Sequence, residues 1–192
     1  MRVISGIAKG RTLKSPGEVT RPITDRVKEN LFNILRDEVI DANVLDLFAG
    51  AGSVGIEALS RGARFATFVE RDPQALRAIQ DNLRITQFEP QAKIVREDVF
   101  KFIKRFPETP YDFIYLAPPQ YKDLWWKTIQ ALDEQPFLSL RGVLVAQIYP
   151  KEYRALNLSG VQLSDHRKYG STMLIFYRSK TTYDRQQPHA GE

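Results

Sequence analysis

From residue 43 to residue 148 the chain repeats one unit: a short apolar run, a break at glycine, proline or an acid, and then an apolar stripe at helical spacing. Val44-Leu45-Asp46-Leu47-Phe48 is the first run, and residues 65–70, 92–96, 113–116 and 143–148 repeat it. Between the runs, residues 53–61 form a helix stopped by Gly62, and Asp72-Pro73 starts another whose stripe is Leu76, Ile79 and Leu83. Residues 99–106 and 124–132 supply two more helices. Strands this short and apolar are buried on both faces, and their alternation with helices predicts an α/β fold with a mostly parallel sheet. After residue 148 the alternation stops. Residues 161–169 and 172–178 have only Gly170-Ser171 between them, which predicts a terminal antiparallel hairpin.

Ahead of the repeat, residues 2–13 read as two short strands around Ala8-Lys9-Gly10, a small N-terminal β-hairpin arm. Thr24 or Asp25 caps a helix reaching to about Val39, with Val27, Leu31, Ile34, Leu35 and Val39 as its stripe. Residues 181–192 are polar and aperiodic, which predicts a disordered tail. The expected organisation is an arm over 1–24, one domain over 25–180 and the tail over 181–192.

The acids narrow the function. Asp46 lies inside the first strand, just before Gly50-Ala51-Gly52; Glu70 ends the second strand; Asp98 follows the third. Open α/β sheets bind ligands at the carboxyl ends of their strands, and glycines there let a ligand approach the backbone. Gly50, Gly52 and Gly55 also fit the dinucleotide pattern G-x-G-x-x-G, which is weak by itself. That pattern has no use for Asp46, because a buried carboxylate is costly unless it is hydrogen-bonded or faces a cation. A sulfonium cofactor with a cationic amino-acid tail gives it one. Glu70 can accept both hydrogens of a ribose diol, and Asp98 can accept from an adenine amino group, although Asp98 also reads as a plain helix N-cap. Three acids closing three successive strands resemble the Rossmann-like class I methyltransferase sheet, in which Phe48, Arg71 and Val99 join Asp46, Gly50, Gly52, Glu70 and Asp98 around S-adenosylmethionine.

The fourth strand runs into Ala117-Pro118-Pro119-Gln120-Tyr121. This resembles the Asp/Asn-Pro-Pro-Tyr/Phe turn of amino-methylating enzymes, with Ala117 in place of the carboxylate or amide and Gln120 inserted before the aromatic. An exocyclic amine is a poor nucleophile until acceptors on its N–H groups aim the lone pair. The carbonyls of Ala117 and Pro118 remain as acceptors, Gln120 offers an amide oxygen, and Tyr121 can stack on a flipped-out base. The plainer alternative is a rigid loop with a packing aromatic.

Net charge is +5 and the pI about 9.4. Up to Lys28 the chain carries Arg2, Lys9, Arg11, Lys14, Arg21, Arg26 and Lys28 against Glu18 and Asp25, a local basic arm. The alternatives are a polyanionic partner and a solvated surface hairpin. There is no cysteine, which excludes disulfides and fits a reducing cytoplasm, and two histidines are too few for a histidine-rich metal site. No window approaches the ~18 apolar residues of a membrane span.

The segments Arg2-Val3-Ile4-Ser5-Gly6, Lys9-Gly10-Arg11-Thr12-Leu13, Thr20-Arg21-Pro22-Ile23-Thr24-Asp25-Arg26-Val27-Lys28-Glu29 and Tyr169-Gly170-Ser171-Thr172 resemble the RsmD family across almost the whole chain. That resemblance implies methyl transfer to guanine N2 of bacterial 16S rRNA, by a cytoplasmic monomer without metal acting on rRNA or the small ribosomal subunit. It also implies an RNA-facing hook containing Arg2, Lys9, Arg11 and Arg21. Adenine-N6 transfer on DNA or RNA, a non-catalytic RNA-binding relative and an NAD-dependent oxidoreductase are the alternatives.

Overall fold

The computed structural model describes residues 1–17 and 23–180; Thr20, Arg21 and Pro22 of the motif around Arg21, and the tail over 181–192, lie outside the described residues. Seven strands form one sheet in the order β3-β2-β1-β4-β5-β7-β6. They are β1 (Asn43–Leu47), β2 (Phe65–Glu70), β3 (Ala92–Arg96), β4 (Tyr111–Leu116), β5 (Leu138–Ile148), β6 (Val161–Tyr169) and β7 (Thr172–Ser179). The first five pair in parallel, and β7 inserts antiparallel between β5 and β6. β1 lies inside the sheet, between β2 and β4, and is wholly buried, Asp46 included.

Five helices cover the two faces: α1 (Asp25–Leu35), α2 (Ser53–Ser60), α3 (Pro73–Thr86), α4 (Val99–Ile103) and α5 (Leu124–Asp133). Val27, Leu31, Ile56, Leu59, Ile79 and Leu83 pack from α1, α2 and α3 on the face carrying Val44, Phe68 and Phe113. Val99, Ile103, Trp125 and Ile129 pack from α4 and α5 on the other, against Leu45, Ile114 and Leu144. The stripe expected to continue as one helix to Val39 breaks after Leu35: Arg36 turns to φ 47°, and Arg36–Val39 is a 3-10 turn.

The arm is a hairpin reduced to a single antiparallel bridge, Arg2 with Thr12. Val3, Gly10 and Leu13 N–H still bond across the arm, but four other backbone donors are diverted to α2. Ile4 and Ser5 N–H donate to the Glu57 carboxylate at 2.8 and 3.0 Å, Ile7 N–H to Ser60 O at 2.8 Å, and Ala8 N–H to Ser60 Oγ at 3.0 Å. Gly6 makes this approach possible: a Cβ there would lie 1.7 Å from Ser60 O. Val3, Ala8 and Leu13 join the same core as α1 and α2, so the arm is packed on the domain rather than held away from it.

Candidate active site

β1 delivers Asp46 to the sheet's carboxyl edge, where the chain must reverse into α2. Phe48, Gly50 and Gly52 all take positive φ (56°, 55° and 73°). For a residue as bulky as Phe48 this conformation is rare and costly, and such strain concentrates at functional sites. Glu70 holds the reversal together. One of its oxygens accepts from Gly50 N–H at 3.0 Å, and the other from Arg71 and Asp72 N–H at 2.7 and 2.9 Å. Asn82, fully buried in α3, donates to Ala51 O at 3.0 Å and accepts from Lys14 N–H at 2.7 Å, tying turn, helix and arm together.

Asp46 is 2% exposed, and its Oδ2 accepts from Gly55 N–H at 3.0 Å. Gly55 is glycine because a Cβ would lie 2.4 Å from the Phe68 ring and 3.3 Å from that oxygen. Burial pushes the Asp46 carboxyl up to about 8; the Gly55 hydrogen bond opposes the shift and the nearby Glu70 charge adds to it. Tyr115, opposite Asp46 on β4, is also buried, and burial followed by the Asp46 charge pushes its hydroxyl well above the usual phenol range. It therefore stays protonated and donates to Gln147 Oε1 at 2.6 Å.

These groups line one cavity of ≈ 760 Å³, within the roughly 300–1,000 Å³ typical of small-molecule sites. Asp46, Phe48, Gly50, Glu70, Arg71, Asp98 and Val99 form one wall. Gly52 stands behind it as the N-cap of α2. Asp98 does cap α4, accepting from Phe100 N–H at 3.0 Å, while its second oxygen lies 3.3 Å from the Arg71 guanidinium. Ala117, Pro118, Pro119 and Gln120 line the same cavity.

Tyr121 lies outside the lining. The residue inserted after Pro119 carries it onto the rim, where it is 71% exposed at φ 59°. Its N–H donates to Glu152 at 2.8 Å, and its ring centroid lies 5.6 Å from that of Tyr149. Arg2, Lys9 and Arg11 are likewise outside the lining. Arg2 pairs with Asp25 at 3.1 Å, and Arg11 donates to the Ile85 carbonyl.

Sequence reasoning missed Tyr115, Gln147 and the wall formed by Tyr169, Ser171 and Thr172. Polarity inside the β4 and β5 apolar runs was the available signal for the first two. Among the described residues no group of three or more His, Cys, Asp or Glu side chains could hold a metal ion, and no helix is long and apolar enough to cross a membrane.

The strand order, the glycine turn after β1 and the acids at the ends of β1, β2 and β3 define the Rossmann-like class I methyltransferase fold. Residues 1–178 match the family described as Conserved hypothetical protein 95, and the chain belongs to that family, the RsmD family. YlbH of Bacillus subtilis is 37% identical over 186 residues, 94% of this chain and 100% of that protein. Ribosomal RNA small subunit methyltransferase D of Escherichia coli is 38% identical over 150 residues, 77% of this chain and 74% of that protein. The solved structure of yhhF from Escherichia coli is 30% identical, with a TM-score of 0.83 over 93% of this chain and 97% of that one.

Proposed function

We propose that this protein transfers the methyl group of S-adenosylmethionine to the exocyclic N2 of a guanine in 16S ribosomal RNA. The observation that carries the reading is that the strand-end acids and the 117–120 turn line the same cavity. The relatives named for small-subunit rRNA methylation support the substrate. We place the reaction in the cytoplasm, by a monomer without a metal.

The residues present fit the cofactor. Asp46 is a desolvated carboxylate held largely protonated near neutral pH, and a cationic ligand group beside it would stabilise its ionised form. Glu70 keeps one oxygen's remaining lone pair for a ribose hydroxyl after bracing the turn, and Asp98 keeps acceptor capacity beyond its cap. Phe48, Gly50, Arg71 and Val99 complete that wall, with Gly52 setting its backbone. When bound, the cofactor supplies an electrophilic methyl on a positively charged sulfur.

The protein's own task is to aim the amine. The Pro118 carbonyl and the Gln120 amide accept the two N–H hydrogens, which turns the nitrogen lone pair toward the methyl. Ala117 offers its carbonyl, and Pro118-Pro119 fix the strained turn. Gln147, held by the Tyr115 hydroxyl, lines the same cavity.

The test is incubation with methyl-labelled S-adenosylmethionine and either 16S rRNA or small subunits, followed by nucleoside mass analysis. N2-methylguanosine is expected. N6-methyladenosine overturns the base assignment, and cofactor binding without transfer to either substrate favours a non-catalytic RNA binder.

A further inference from the structure

Beside the cavity mouth, one short segment gathers rings from three parts of the chain. Tyr149 ends the chain's exit from β5 and meets Tyr121. Four residues on, Tyr153 lies 5.8 Å from His166 of β6, at an interplanar angle of 30°. The next residue, Arg154, places its guanidinium 4.8 Å from the Trp126 ring centroid, and Lys127 reaches the same ring at 5.4 Å. The turn and the segment are fastened by the Tyr121 N–H bond to Glu152. The result is a shelf of three ring groups and their cations, joined through residues 149–154. It abuts the cavity because Gln120 and Lys122, either side of Tyr121, both line that space.

Its charge is positive on balance. Lys122, Lys127, Lys151 and Arg154 are exposed and enter no salt bridge among the described residues. Asp165 pairs with Arg167 at 2.8 Å, and Glu152 accepts from the Tyr121 N–H while keeping its charge, so the four cations stand against the two acids Asp123 and Glu152. An exposed ring, Tyr121, beside half-buried rings and exposed cations matches the two needs of an unpaired nucleic-acid strand, a stacking face for a base and a positive track for its phosphates.

We infer that this shelf binds the single-stranded RNA nucleotides flanking the target, with Tyr121 and Tyr149 stacking a neighbouring base while the target nucleotide enters the cavity. The inference rests on the RNA substrate proposed above. It gives Tyr121 a partner outside the cavity and gives the rim a role in choosing sequence context. A base-paired segment cannot use it, because its bases are already stacked on each other.

The test compares a short single-stranded RNA with a duplex of the same sequence by fluorescence anisotropy at several salt concentrations. The proteins are the parent, Tyr149→Ala, and the exposed pair Lys151→Glu/Arg154→Glu. Calorimetry with S-adenosylhomocysteine checks that each variant folds. The parent is expected to prefer the single strand. Tyr149→Ala should weaken that binding roughly fivefold to a hundredfold. The charge reversal should lower the slope of log K against log salt by ~0.7 for each phosphate the shelf no longer neutralises. Variants that bind single strands as the parent does overturn the shelf. So does an effect seen only on assembled subunits, which would make it a protein-docking surface. Weakened RNA binding in the variants, together with a parent that transfers no methyl, leaves the shelf standing and overturns the reaction instead.

Discussion

The two ends of α2 each bury a carboxylate, and the two have opposite surroundings. Glu57, fully buried, faces Lys28 Nζ at 3.2 Å and Arg61 Nε at 2.9 Å and accepts from Ile4 and Ser5 N–H. Lys28 in turn donates to Arg2 O at 2.7 Å. Asp46, equally buried, has one backbone donor, a neighbouring acid in Glu70, and a cavity in front of it. Burial of charge is therefore no mark of a site in this molecule. The satisfied cluster fixes where the arm sits on the domain. The unbalanced carboxylate is left for a ligand to balance.

The largest effect should come from breaking the satisfied end. Glu57→Ala leaves Lys28 buried without its counter-charge and two backbone donors buried without partners, at ~3–5 kcal/mol. For a chain of this size that is on the order of 10 °C in melting temperature. Thermal unfolding followed by circular dichroism measures it. In a simple buried ion pair, apolar replacement of both partners restores most of the loss. Here Lys28→Met/Glu57→Leu should not, because Ile4 and Ser5 N–H remain orphaned. Full recovery would show that the two charges alone matter.

At the other end, Asp46→Asn should weaken S-adenosylmethionine binding roughly tenfold to a hundredfold, the value of interactions with a charged acceptor. It should leave the melting temperature unchanged or raise it, since Asn can still accept from Gly55 N–H without a desolvated charge. Calorimetry and thermal unfolding on the same samples decide this; a destabilised variant with normal affinity would assign Asp46 to the architecture.

The raised Asp46 carboxyl also fixes a pH signature. Its ordinary value is 3.8 and burial lifts it to about 8. The folded state thus holds this proton more tightly than the unfolded chain. The resulting contribution to stability is complete below pH 3.8 and is lost as pH rises through about 8. A cationic ligand needs the ionised form, so cofactor affinity should rise by up to ~tenfold per pH unit approaching 8 and then level off, with a proton released on binding below that point. A flat affinity between pH 6 and 9 in the parent, matching Asp46→Asn, removes the carboxylate from cofactor recognition.

The two ends were unequally legible in the sequence. Asp46, Glu70 and Asp98 stood out because apolar runs fix where strands end, and the acids fell at those ends. Glu57 and Lys28 sit on different helices, 29 residues apart in the chain, and each looks like an ordinary solvated helix charge. Only tertiary packing brings them together. That same packing took backbone donors from the arm and left one bridge where two strands were expected. Gln147 was hidden inside an apolar strand, and the displacement of Tyr121 depends on the path of the turn after Pro119, which residue types alone do not set.

The smallest expected effects concern the arm's exposed cations, and they rank by partner. Lys9 stands on the excursion between Gly6 and Gly10 and has no carboxylate partner among the described residues. Arg11 bonds only a carbonyl, Ile85 O, which leaves its charge uncancelled. Arg2, by contrast, is paired with Asp25. If RNA phosphates reach this surface, Lys9→Ala and Arg11→Ala should each reduce the slope of log K against log salt by ~0.7–0.9, since each removes one charge that could release a counterion. Arg2→Ala should reduce it less, because Asp25 already offsets that charge and an exposed pair is worth only ~0–1 kcal/mol to stability. None of the three should change cofactor affinity, as none lines the cavity. Salt titrations of RNA binding for the three variants read the order directly. Equal, negligible slopes for all three would confine the arm to its packing role against α2 and leave RNA recognition to the opposite rim.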